Sequence, residues 1–156
     1  MTNTFSLADL TDMTHSKRRS VQLWAEAGVI LADESTERAG TGTHRRFSRD
    51  EAIIACLVAG LTRHFHMPIG VLLQVSDGIR REQFQSMIDG AMKNGRPCFL
   101  VIRPEEVGIG HFQISIVSGA DDKNAFDALT KTLIRARSAA LAVLRVNDHL
   151  AQLWSK

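Results

Sequence analysis

The chain has 156 residues, room for one ordinary domain or for a small domain with an appendage. Hydrophobic residues make up 44% and charged residues 23%, which excludes a disordered chain; two cysteines, Cys56 and Cys98, exclude a disulfide-dense scaffold and fit a reducing cytoplasm. No apolar run approaches the roughly 18 residues that span a bilayer, and the opening MTNTFSLADL lacks a secretory pattern, so a cytoplasmic protein is expected.

The net charge of +2 selects no partner, but its distribution is uneven. Arginine outnumbers lysine 14 to 5, and arginine is the better fork for phosphates and guanine edges. One basic cluster holds His15, Lys17, Arg18 and Arg19; a second holds His44, Arg45, Arg46 and Arg49, with Asp33, Glu34 and Glu37 between them. A single charge run is ordinarily a solvated face. Two clusters, each beside a predicted helix, weaken that reading.

In chain order, Ser6 opens a helix over 6–13 with Leu7 and Leu10 at helical spacing, and Ser6 with Asp9 makes a capping pattern. A second helix is predicted over 16–27, turning Val21 and Trp24 (with Leu23 beside them) to a core and stopping at Gly28. A tight turn near Met13, Thr14 and His15 makes the pair a helix-turn-helix layout. Val29, Ile30 and Leu31 read as a short strand, 39–43 as a flexible tip, and 44–47 as the returning strand of a ribbon. Ser48 and Glu51 form a capping box for a third helix carrying Ile53, Ile54, Leu57, Val58 and Leu61. A fourth follows Pro68, with Val71, Leu72, Val75 and Ile79; a further helical piece over 83–93 ends at Asn94 and Gly95.

Two strands, 98–102 and 112–117, form a predicted hairpin around a loop at 103–110, the second alternating as if one face were wet. A last long helix follows. Phe126, Leu129, Leu133, Ala136, Ala140, Val143, Asn147, Leu150 and Trp154 step alternately by 3 and 4, a four-heptad seam with one strongly polar member. Such a seam predicts self-association, and Asn147 suits either a parallel or an antiparallel pair. Ile134, Leu141 and Leu144 widen the stripe, as intramolecular packing would.

The string 19–30, with Arg19, Val21, Trp24 and Gly28, resembles the second helix of MerR-type winged-helix regulators and the turn into their wing. The string 42–51, with His44, Arg45, Arg46, Phe47 and Ser48, resembles the wing return and the acidic helix start after it. The pair covers about residues 5–81 in the family's order. The resemblance implies a winged helix-turn-helix that binds double-stranded DNA as a homodimer on an inverted repeat, with RNA polymerase as a further partner and a nucleoid-associated location. Base edges would then meet Ser16, Lys17, Arg18 and Gln22 at the start of the second helix. Arg19 and Arg45 would lie near phosphates, with His44 and Arg46 beside them in the wing. Metal-sensing members place cysteines at and after the dimerisation helix; this chain has none beyond Cys98. The expected fold is mainly α (α+β), with a winged-helix DNA-binding domain over 1–81, a helix and β-hairpin module over 82–120, and a coiled-coil-like dimerisation helix over 121–156.

Other constellations carry less. His64 and His66 point apart on a helix and lack a third ligand nearby in sequence. Cys98 and His111 could face each other across the hairpin but lack an orienting group, and Cys56 reads as a small buried hydrophobe. Gly108 and Gly110 suit a turn, and Pro104, Glu105 and Glu106 an exposed acidic loop. Neither enzyme nor cofactor is expected. Two other readings stay open: an architectural or excisionase-like DNA-bending protein, and a ligand- or protein-binding interaction module.

Overall fold

Residues 4–37, 45–105, 110–136 and 141–154 are described by a computed structural model. They form a mixed α/β chain with eight helices and two small antiparallel sheets. The chain divides into two compact units, 1–76 and 77–156. Among the described residues no helix is long and apolar enough to cross a membrane.

In the first unit, helix α1 (Leu7–Thr14) starts where Ser6 and Asp9 satisfy each other's backbone N–H groups, the reciprocal box that the sequence predicts. It ends at His15, whose left-handed backbone (φ 49°) opens the turn into α2 (Arg18–Glu26). Gly28 stops α2 at φ +80°, a conformation that favours glycine, and the N–H of Val29 donates to the Trp24 carbonyl at 2.8 Å. That back-bonding corrects one expectation. Residues 29–31 are not a strand, because the chain folds over the end of α2 instead of extending.

The return strand β2 (Arg46–Phe47) pairs with β1 (Phe5–Ser6), in the register Phe5 to Phe47 and Ser6 to Arg46. An isolated bridge joins Phe47 to Ala32, and a one-turn helix α3 (Glu34–Glu37) follows that bridge. Helix α4 (Arg49–Phe65) is the core of this unit: every residue from Glu51 to Leu61 is buried, so the helix is covered all round. Phe47, Val21, Trp24, Leu10 and Ile30 fill the remaining core. Each large apolar side chain buried there contributes on the order of 2 kcal/mol. Leu23, expected on the core side of α2, is 42% exposed.

Helix α5 (Ile69–Arg81) carries the boundary between the units, which falls after Ser76. In the second unit α6 (Phe84–Lys93) leads into β3 (Cys98–Pro104), the central strand of a sheet ordered β4–β3–β5. Strand β4 is Phe112–Ser118 and β5 is Ala142–Arg145, both antiparallel to β3. Leu100, Val101 and Ile102 are consecutive and all buried; since successive strand residues point to opposite faces, both faces of β3 are covered. Ile116 and Val117 are likewise both buried, so the clean alternation expected for β4 does not hold at that end. Helix α7 (Asp122–Ala136) packs on the hairpin, and its start is capped by Asp121, whose carboxylate accepts from the Asn124 N–H at 2.8 Å. Gly119 makes this turn possible: a Cβ there would lie 2.3 Å from the backbone nitrogen of Ala125.

The single long C-terminal helix is overturned. Where one helix over 121–156 was expected, the chain forms α7, then strand β5, then α8 (Val146–Trp154). Pairing of Val143 with Val101 and Leu144 with Leu100 takes the middle of the presumed seam into the sheet. The hairpin and the C-terminal segment are thus one unit built on a shared central strand.

Candidate nucleic-acid interface

The basic residues of the first cluster sit where α2 begins. Lys17 is the N-cap but makes no side-chain capping bond, and no acid lies in the first turn. Lys17, Arg18 and Arg19 are exposed. At 100° per residue, Arg18, Arg19 and Gln22 share the outward face of α2, opposite buried Val21 and Trp24. Gln22 is half-buried, as is Ser16, whose hydroxyl donates to the Thr14 carbonyl at 3.3 Å. Three cations at the positive pole of an uncapped helix oppose its dipole, each by about 0.3–1 kcal/mol. Local stability does not explain that arrangement; an anion from outside would.

In the second cluster, Arg45 is half-buried and Arg46 exposed, while His44 lies outside the described residues. Strand pairing sets Arg46 opposite Ser6, so the basic strand is tied to the start of α1 and the basic helix to its end. An eight-residue helix separates those two attachments by about 12 Å. The Arg46 carbonyl accepts from Asp33 N–H at 2.8 Å, and its N–H donates to Thr36 Oγ1 at 3.1 Å. The arginine backbone is therefore held while its side chain stays at the surface.

Two residues of this frame escaped the sequence reading. Glu51 was legible only as a cap, yet its carboxylate accepts from the Leu31 N–H at 2.8 Å. Arg63 carried no signal, and its Nη2 donates to the Thr14 carbonyl at 2.7 Å.

The expected dimerisation residues are scattered. Phe126 is exposed, Leu129, Leu133 and Trp154 are half-buried, Ala136 and Leu150 are buried, Val143 is in β5, and Ala140 lies outside the described residues. Asn147, expected to fix a partner's register, is used inside the chain: its Oδ1 accepts from Cys98 N–H at 2.8 Å and its Nδ2 donates to the Arg96 carbonyl at 2.9 Å.

The remaining constellations resolve simply. Cys98 pairs with Ser118, at the opposite end of the hairpin from His111, seven residues or about 23 Å along the strand. Burial pushes the Cys98 thiol up to about 11 and the Cys56 thiol up to about 12, so both stay protonated at neutral pH. Among the described residues no group of three or more potential metal-ligating side chains comes together. The second unit also contains a cavity of about 310 Å³ lined by Phe84, Phe112, Ile114, Arg81, Glu82 and Glu105, among others.

The chain matches no model of a known protein family, and no similar protein is found among curated proteins.

Proposed function

We propose that the chain is a DNA-binding transcriptional regulator whose first unit is a winged helix-turn-helix of the MerR type. In this reading α2 enters the major groove, and β2 is the return strand of the wing. Lys17, Arg18, Gln22 and Ser16 meet base edges; Arg19, Arg45, Arg46 and His44 lie against phosphates. The carrying observation is the start of α2, where three exposed cations stand at an uncapped helix N-terminus. Backbone N–H groups and cationic side chains there converge on one anion-seeking surface.

A homodimer on an inverted repeat belongs to the same reading, with RNA polymerase as the further partner and the nucleoid as the location. Its basis is narrower than a four-heptad seam: α7 exposes Phe126 (66%) and Ile134 (72%), two turns apart on one flank. Selection of binding sites from a random duplex pool at near-physiological salt tests the whole. One inverted repeat is the expected product. A bound pool without a motif would indicate an architectural, DNA-bending protein, and no bound duplex would refute nucleic-acid recognition.

A further inference from the structure

Glu51 is the one buried charged side chain among the described residues, 8% exposed in the first turn of α4. The Ser48 hydroxyl accepts from its backbone N–H at 3.2 Å, while its carboxylate holds the N–H of Leu31, twenty residues earlier. Leu31 begins the strap from α2 to the return strand. From there the hold passes on: Ala32 bridges Phe47, and Asp33 N–H donates to the Arg46 carbonyl.

At the other end of α4, Arg63 donates to the carbonyl of Thr14, the last residue of α1 before the turn into α2. Glu51 and Arg63 are twelve residues apart on one helix, a separation of about 18 Å. Between them α4 is buried on every side, so it is held along its length. Each clamp joins a side chain of α4 to the backbone of a neighbouring segment.

We propose that Glu51 and Arg63 are positioning residues, and that α4 is a spacer bar setting the interval between the two basic elements. Glu51 fixes the base of the strand that bears Arg45 and Arg46; Arg63 fixes the entry to the helix that bears Arg18 and Arg19. The proposal rests on the DNA-binding reading and adds to it the parts that hold the reading surface in register.

The test measures binding to the selected duplex as a function of salt, for wild type, Glu51→Met, Glu51→Gln and Arg63→Ala. Methionine fills the volume of glutamate without its acceptor, whereas glutamine keeps an oxygen for the Leu31 N–H. Glu51→Met is expected to lower affinity about tenfold and to flatten the salt slope by one to two, roughly 0.9 per lost phosphate contact. Glu51→Gln restores both, and Arg63→Ala relaxes base preference. Hydrogen exchange in the free protein reads the latch separately, with the Leu31 amide faster in Glu51→Met. Equal slopes for wild type and Glu51→Met, or equal losses in the methionine and glutamine variants, overturn the role of Glu51. A uniform loss over all sequences for Arg63→Ala leaves only a charge effect and overturns its role. Unchanged Leu31 exchange removes the latch whatever happens with DNA. A wild type that binds no duplex overturns the DNA reading itself, an outcome distinct from one in which wild type binds and the variants match it.

Discussion

Helices α1 and α2 are neighbours of nearly equal length, eight and nine residues, and they begin in opposite ways. At α1, Asp9 accepts from the Ser6 N–H at 2.7 Å and Ser6 accepts from the Asp9 N–H at 3.2 Å, so the free donors are met within the helix. At α2 the capping position holds Lys17, followed by Arg18 and Arg19, with neither a side-chain cap nor an acid in the first turn. One start is arranged for folding. The other forgoes about 1 kcal/mol of capping and adds unfavourable dipole interactions. What sets the α2 start apart from that of α1 is its three consecutive cations, the arrangement on which the proposed DNA-binding reading rests.

The contrast can be broken most strongly by replacing Arg18 and Arg19 together with glutamate. Duplex binding should fall by at least about 100-fold, since phosphate and base contacts reverse sign, while the thermal midpoint should hold or rise. A fall in stability instead would assign the arginines to the fold. Next in size is Arg18→Ala, expected to cost about 1–3 kcal/mol at one or two base positions. Binding measured across single-base variants of the operator should show the loss concentrated there; an even loss would place Arg18 on phosphate.

Two crossed substitutions sharpen the comparison. Lys17→Asp installs the missing cap, so it should raise stability by about 1 kcal/mol and weaken DNA binding. Ser6→Ala should do the reverse in part, lowering urea stability by about 1 kcal/mol with affinity unchanged. Parallel movement of stability and affinity in both variants would erase the distinction between the two starts. Smallest is Arg45→Ala, which should weaken binding evenly on all sequences and reduce the salt slope by about one. An unchanged slope would remove Arg45 from the phosphate contacts.

Legibility followed the range of the interaction. The reciprocal box at Ser6, the hydroxyl cap at Ser48 and the stop at Gly28 depend on residues within a turn, and each was readable, although the return half of the box expected at Glu51 gives way to its bond with Leu31. The apolar run at Val29 and Ile30 was not, because a short apolar stretch suits a strand or a buried strap equally. Here both N–H groups return to the Trp24 carbonyl, at 2.8 and 3.3 Å. The seam failed for a related reason. Helices α7 and α8 each carry a face spaced by 3 and 4, and the residues between them happen to keep phase, so the pattern continues through a strand.

Sequence by itself determined most of the helices and their caps, the hairpin, the core side chains of α4, and the clustering of arginine, since each is written in neighbouring residues. Tertiary structure alone decided that Val143 and Leu144 join β3, that Asn147 serves Cys98 and Arg96, and that Glu51 and Arg63 hold Leu31 and Thr14. Those partners lie roughly 20 to 50 residues apart, and a polar side chain takes whichever partner the folded chain brings to it. No local pattern encodes that choice.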